Sequence, residues 1–186
     1  MTITAKHQQL VLQQFARQVA RDIPLTDFMQ LEFRDYTGLE IRIDAPLAPN
    51  INDKNTGFGG SLVTLATLAG WSLLSLLCRE QGRCCEVVIG ESSIRYLAPA
   101  TDQFYVWGAI QRQVRQQLQQ ALQRGEGYKA AVSAEVMVDQ QVVALFSGTY
   151  FIKPLAPRAP CLSSPNGLSL AGARRRFNRK QKAGYL

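Results

Sequence analysis

The fold depends most on residues 50–74, which read NINDKNTGFGGSLVTLATLAGWSLL. Short polar side chains and three glycines, Gly57, Gly59 and Gly60, come first, and a long apolar run follows them. Residues 62–77 are predominantly apolar on every face of a helix, as in a helix buried within a core rather than one on a surface. The sequence therefore predicts a buried central helix with a glycine-rich turn at its N-terminus.

The residues on either side of this helix predict an α+β domain. Before it, apolar residues at helical spacing predict a first helix that ends at Pro24, and residues 28–47 alternate as in a β-hairpin. After it, residues 85–111 and 128–154 each predict two strands, with a short amphipathic helix over residues 112–127 between them. A long apolar helix followed by antiparallel strands indicates a sheet that wraps around the helix.

The excess positive charge lies at the C-terminal end. The chain of 186 residues carries a formal charge of +7, and residues 155–186 hold seven basic side chains and no acidic one. Since this segment is also rich in Pro, Ser and Gly, we predict one folded domain over residues 1–154 and a disordered basic tail over residues 155–186. Residues 174–182 could contact RNA, anionic lipid or an acidic carrier protein, but a charge run is weak evidence and we do not expect nucleic-acid binding.

Composition argues against several kinds of active site. His7 is the only histidine and lies near the start of the chain, which does not fit imidazole catalysis or a histidine metal site. The four cysteines lack the spacing of a zinc site, so we expect no metal, and no cofactor either. GFGGSL has neither the dinucleotide fingerprint nor the Lys-Ser/Thr of a P-loop. With no signal-peptide pattern and no uninterrupted apolar span, we expect a cytoplasmic protein.

The glycine-rich turn suits chemistry performed by the backbone. Gly59 and Gly60 allow a ligand to approach the main chain closely. The unpaired N–H groups of a first helical turn favour an oxygen that carries developing negative charge, which is the arrangement of an oxyanion hole. The alternative is structural: the glycines permit tight packing of the helix, and Ser61 serves as its N-cap.

Two separated motifs resemble a known family. NINDKNTGFGGSL before an apolar helix, followed by IRYLAPA in a strand, resembles the hotdog-fold acyl-thioesterase superfamily, and most closely the stand-alone form of the YiiD C-terminal thioesterase-like domain. The resemblance spans residues 8–154. It implies a long helix wrapped by an antiparallel sheet, a homodimer with active sites at its interface, and acyl groups on coenzyme A or acyl carrier protein as ligands. Assembly of such dimers into a tetramer is left open.

The sequence departs from related phenylacetyl-CoA-type thioesterases at three positions. Their histidines correspond to Asn50 and Phe58 here, and by spacing their helix carboxylate corresponds to Thr67. Asn52 and the glycine pair 59–60 match their pattern. A threonine cannot activate water at neutral pH without a base beside it, so the argument for ordinary hydrolysis is weaker.

Two other carboxylates could supply the missing base. Asp53 lies in the turn itself, and Glu91 lies on the strand that leads into IRYLAPA. Either could reach a thioester across a dimer interface. The structural alternatives are that Asp53 bonds its own backbone in the turn and that Glu91 is an ordinary solvent-facing strand residue.

The missing base also suggests a second reaction. Members of the YiiD-like branch decarboxylate malonyl-carrier protein to acetyl-carrier protein, which needs enolate-stabilising donors and a dry pocket rather than a base. By resemblance, Asn52 and the Gly60 N–H would hold the carbonyl oxygen, Asn50 would orient the carboxylate and Phe58 would exclude water. Gly59, Ser61 and Thr67 complete the expected substrate contacts.

The sequence therefore predicts an enzyme that processes acyl thioesters. The thioesterase-like assignment comes first and malonyl-carrier-protein decarboxylation second. A non-catalytic acyl-CoA-binding protein remains a third hypothesis, in which Asp53 is structural.

Overall fold

The computed structural model describes residues 5–155, which form helices packed on one sheet. The helices are α1 (Ala5–Asp22), α2 (Pro24–Phe28), α3 (Gly59–Glu80) and α4 (Arg112–Arg124). The strands are β1 (Glu32–Tyr36), β2 (Glu40–Ala45), β3 (Cys85–Tyr96), β4 (Phe104–Ala109), β5 (Tyr128–Val138) and β6 (Gln141–Pro154). Apart from Leu155, the predicted basic tail, with residues 174–182, lies outside the described residues, so it stays a prediction.

The strands form one six-stranded antiparallel sheet in the order β1-β2-β4-β5-β6-β3. Buried residues alternate with half-buried ones along β4 and mostly with exposed ones along β5, so the sheet has one apolar face. That face packs against α3, which contacts β2 through β6. The predicted α+β architecture, with the sheet wrapped around a central helix, is confirmed.

Pro24 starts a second helix as well as ending the first. α1 stops at Asp22 and α2 begins at Pro24, where the fixed φ and missing N–H of proline are tolerated in a first helical turn. The buried Thr26 ties this turn together, because its Oγ1 donates to Ile23 O at 2.8 Å. α2 consequently packs against α1, and Leu25 and Thr26 line a cavity together with α3, which the sequence pattern did not predict.

α3 forms the centre of the core. Leu65, Leu73 and Leu76 on this helix are fully buried. By length and composition α3 could cross a membrane, but 67% of its apolar window is buried inside the fold. Packing against the sheet therefore accounts for its apolar sequence.

One face of α3 is not covered by the sheet. Thr64, Thr67 and Trp71 lie on this face and are only half-buried. At its border Gly70 lets Tyr150 cross the helix, since a Cβ at Gly70 would come within 2.5 Å of Tyr150 Oη. This hydroxyl donates to Thr67 O at 2.8 Å, and burial raises the pKa of Tyr150, so the hydroxyl stays a donor. The open face runs from this point to the helix N-terminus.

Candidate functional site

Among residues 5–155, no side chain caps the N-terminus of α3. Phe58 occupies the N-cap position with φ −65° and ψ 127°, and the first helical hydrogen bond runs from Leu62 N to Phe58 O at 3.1 Å. Within the described part of the chain, the N–H groups of Gly59, Gly60 and Ser61 find no acceptor. The structural alternative in which Ser61 serves as the N-cap is wrong, because the helix already begins at Gly59.

Two of these residues, Gly59 and Gly60, line a cavity of about 500 Å³. Its walls are the glycine-rich turn and the chain that leaves β3, comprising Gly57, Gly59, Gly60, Leu62, Tyr96, Leu97, Ala98, Pro99 and Ala100. Gly57 N donates to Ala100 O at 2.7 Å, which holds the two segments together. The two motifs that carry the family resemblance therefore meet in space. No charged side chain lines this cavity among residues 5–155, so the positive end of the helix dipole sets its electrostatic character.

Tyr96 is a site residue that sequence reasoning missed. Its Oη donates to Gly59 O at 2.8 Å, and its ring lies against the place where a Cβ of Gly59 would be. Half of the side chain is exposed, at 50%, and it supplies the one hydroxyl among the lining residues given above. The available signal was its place in the motif IRYLAPA, at the end of a predicted strand. Tyr96 fixes the helix N-terminus against β3.

Phe58 lies over the same turn. A Cβ at Gly60 would overlap the phenyl ring, so any larger residue at this position would make the Phe58 side chain shift. The ring is 55% exposed and borders the uncapped N–H groups. This placement is compatible with the predicted exclusion of water by Phe58.

Asn52 does not donate into the cavity. Its Oδ1 accepts from Lys54 N at 2.8 Å and from Thr56 N at 3.1 Å, while its Nδ2 donates to Thr56 Oγ1 at 3.0 Å. The amide is thus engaged by its own loop, as in an Asx turn. The structure assigns Asn52 to shaping the turn before α3 and does not support its predicted role as a donor to the substrate carbonyl.

Asn50 is also engaged elsewhere. It is 1% exposed, and its Nδ2 donates to Met29 O and to Pro46 O, both at 2.9 Å. Its backbone oxygen accepts from Phe58 N at 2.7 Å. Asn50 therefore joins three chain segments, and both of its amide protons are used by backbone carbonyls. The predicted contact between Asn50 and a substrate carboxylate does not fit this geometry.

The two candidate carboxylates lie apart from the cavity. The Asp53 side chain is 80% exposed at the loop tip, where Lys54 Nζ lies 3.2 Å from it. Glu91 pairs with Thr149, whose neighbour Tyr150 faces the helix, so Glu91 is on the opposite face of the sheet. Neither carboxylate reaches the uncapped N–H groups within one chain.

Thr67 lines a second, mostly apolar cavity of about 330 Å³ along the open face of α3. The walls of this cavity, the α3 groove, come from α3, from the α1–α2 junction and from the sheet: Ile23, Leu25, Thr26, Val63, Thr64, Thr67, Leu68, Trp71, Ile89 and Tyr150. Thr67 therefore belongs to a groove that runs along the helix, about two turns from the glycines. The groove has no counterpart in the sequence-based predictions.

Comparisons with known proteins agree with this geometry. The family described as "Putative thioesterase (yiiD_Cterm)" matches residues 12–154. The "putative thioesterase" of Shewanella oneidensis has a TM-score of 0.72 at 31% identity, over 78% of this chain and 99% of that chain. A protein of unknown function from Chlorobaculum tepidum has a TM-score of 0.72 at 25% identity, over 81% of this chain and 97% of that chain.

A more distant structure shares the fold alone. A "probable thioesterase" from Pseudomonas aeruginosa has a TM-score of 0.63 at 21% identity, over 79% of this chain and 95% of that chain. The neighbours have hotdog folds, so the predicted hotdog architecture is confirmed. With most of its described residues matched, the chain belongs to the thioesterase-like family of the YiiD C-terminal domain.

Proposed function

We propose that this protein acts on acyl thioesters of coenzyme A or acyl carrier protein, with the thioester carbonyl oxygen bound at the N-terminus of α3. The observation that carries the proposal is the set of N–H groups at Gly59, Gly60 and Ser61, which have no acceptor in the described chain, beside a cavity that both glycines line. Preorganised backbone donors at a helix N-terminus stabilise an oxygen that gains negative charge in the transition state.

Two reactions place such a charge on this oxygen. In hydrolysis, water adds to the carbonyl carbon, the oxyanion collapses, and the thiol leaves with a proton to give a free acid. In decarboxylation, a malonyl thioester loses carbon dioxide and the resulting enolate takes a proton to become an acetyl thioester. Tyr96 and Phe58 would shield either intermediate from solvent.

One observation favours decarboxylation as the second candidate. Among the described residues that line the glycine cavity there is no carboxylate and no imidazole, whereas hydrolysis needs a base to activate water. A base for hydrolysis would have to come from a second copy of the chain or from substrate-induced closure of the loop that carries Asp53.

The test is to incubate the purified protein separately with malonyl-, acetyl- and decanoyl-acyl carrier protein and to weigh the carrier by intact-protein mass spectrometry. A carrier with a free thiol supports hydrolysis, and conversion of malonyl- to acetyl-carrier supports decarboxylation. If every carrier and the corresponding coenzyme A thioesters come back unchanged, the catalytic proposal is wrong and the non-catalytic binding hypothesis replaces it.

Asp53→Asn tests whether the loop carboxylate is the base. We expect turnover to change by about twofold at most, the range of a surface substitution, because Asp53 is exposed and its one ionic partner within residues 5–155 is Lys54. Glu91→Gln is the matched variant on the other face of the sheet. Loss of hydrolysis in either variant, with unchanged melting temperature, would identify that carboxylate as the base.

We also propose that two copies pair through β3. This strand is 12 residues long and forms an edge of the sheet, and in the described chain its other neighbour is absent. Val88, Ile89, Tyr96 and the adjoining Leu97 are large apolar residues that remain exposed along this edge. A long apolar edge strand is a template for pairing with another strand. Such pairing would extend the sheet and cover the outer side of the α3 groove.

Val88→Lys should lower the dimer fraction measured by light scattering at a given concentration. A lysine on an edge strand opposes strand pairing, and a symmetric interface receives the charge twice. Ser133→Lys is the control, because it adds the same charge on an exposed site of β5 away from the edge. A wild-type protein that is monomeric at micromolar concentration would contradict the pairing.

A further inference from the structure

The proposed carbonyl site and the α3 groove both border the open face of α3. Gly60, Thr64, Thr67 and Trp71 follow one another at intervals of three and four residues, so they share one face of the helix. At a rise of about 1.5 Å per residue, Trp71 lies roughly 16 Å along the axis from Gly60. A thioester held at Gly60 would therefore direct its acyl chain along this face.

The groove is suited to an unbranched apolar chain. Ile23, Leu25 and Ile89 contribute aliphatic side chains to its walls. Two of its polar groups are already satisfied by backbone oxygens: Thr26 Oγ1 donates to Ile23 O, and Tyr150 Oη donates to Thr67 O, each at 2.8 Å. Burying methylene groups in such a groove does not leave these hydroxyls unpaired.

Trp71 is the last residue of α3 that lines the groove, and it is held in place. Its Nε1 donates to Val87 O on β3 at 3.1 Å. Its ring packs on Phe15 of α1, with centroids 5.7 Å apart and planes tilted by 32°. A side chain fixed on two sides resists displacement by a longer ligand, because moving it would break a hydrogen bond and an aromatic contact.

We propose that Trp71 sets the upper limit on acyl-chain length, so that the substrates are thioesters of medium-length straight acyl chains. This inference rests on the proposed function, since it needs the carbonyl at the N-terminus of α3. A carbon chain advances about 1.3 Å per carbon, given a C–C bond of about 1.5 Å. The roughly 16 Å between Gly60 and Trp71 then holds a chain of about ten to twelve carbons.

The first test is the dependence of kcat/KM on chain length with acetyl-, hexanoyl-, decanoyl- and palmitoyl-CoA. For the wild type we expect kcat/KM to rise by up to about fourfold per methylene as far as decanoyl and to fall at palmitoyl. Trp71→Ala should raise the ratio of palmitoyl to decanoyl turnover by about tenfold or more. Trp71→Phe keeps an aromatic ring at this place in the groove and should change the ratio less.

Thr67→Leu tests the same groove in the opposite direction. Leucine is a better helix former than threonine, so this variant is expected to fold even if Trp71→Ala does not. Because the larger side chain fills the groove midway, the optimum should move toward hexanoyl-CoA. If neither Thr67→Leu nor Trp71→Ala changes the chain-length profile, the inference is overturned.

A binding measurement separates this inference from the proposed catalysis. The chain has two tryptophans, and Trp107 lies on the other face of the sheet, so Trp107→Phe leaves Trp71 as the only indole reporter. Titration of this variant with the non-hydrolysable thioether S-decyl-CoA should shift its tryptophan emission, whereas Trp71→Phe with Trp107 retained should show no shift. Binding with this shift but without turnover of any thioester would refute only the catalytic proposal. Turnover of decanoyl-CoA without the shift would refute the role of Trp71.

Discussion

Turnover of acyl thioesters is expected to fall by about 10²- to 10³-fold when Gly60→Pro removes one backbone N–H from the start of α3, the loss typical of one oxyanion donor. Proline is tolerated in the first turn of a helix, because the N–H that it lacks has no partner there in any case. The helix should therefore persist while a donor to the thioester oxygen is lost. Steady-state kcat on the preferred thioester measures the effect.

The control separates the lost N–H from the added side chain. Since a Cβ at Gly60 would overlap the ring of Phe58, both comparisons are made in the Phe58→Ala background. Gly60→Ala in that background adds a side chain and keeps the N–H, whereas Gly60→Pro removes the N–H. Equal kcat in the two double variants would show that the Gly60 N–H takes no part in the reaction.

Asn50→Asp is expected to lower the free energy of unfolding by about 3–5 kcal/mol at neutral pH, as for a buried charge left without a partner. The substitution keeps the shape of the side chain but replaces the two amide protons that bind Met29 O and Pro46 O with a second carboxylate oxygen. Urea unfolding of the variant and the wild type measures the difference.

The effect of Asn50→Asp should depend on pH with a definite sign. Burial next to two carbonyl oxygens disfavours the ionised form, so the folded-state pKa of this aspartate lies above its unfolded value of about 3.9. The loss in free energy of unfolding relative to the wild type should be smallest below pH 4. It should grow as the pH rises, until the carboxyl group of the folded protein ionises. Asn52→Asp is the matched control, because its Oδ1 already accepts two backbone N–H groups and a carboxylate fits there. If the loss in free energy of unfolding caused by Asn50→Asp did not depend on pH, the buried-charge explanation would be wrong.

The central helix and the sheet could be predicted because each leaves a local pattern. The continuous apolar run of α3 and the alternation of side chains along β4 and β5 can be recognised without knowing which segments pack against them. Asn50 and Asn52 show where prediction from the local sequence pattern fails. Asn50 binds Met29 O and Pro46 O, the first of which lies 21 residues away, and nothing in the motif NIN distinguishes this buried link from a ligand contact.

The site was only partly predictable for the same reason. The glycine-rich turn at the N-terminus of a helix was visible in the sequence, and the structure adds that it is uncapped. Tyr96 was missed because its partner, Gly59 O, is 37 residues away. The α3 groove depends on the α1–α2 junction lying across from α3, and a five-residue helix that begins at Pro24 gives no periodic signal of where it will lie.

The carbonyl donors and Trp71 lie on one continuous helix, and this restricts how the protein can change. Each residue added to or removed from α3 between Gly60 and Trp71 would turn everything beyond it by about 100° around the axis, and would carry the tryptophan off the face that the substrate follows. Divergence in substrate size within this scaffold is therefore expected to proceed by exchange of side chains along the helix. Insertions and deletions should be confined to the loops that border it.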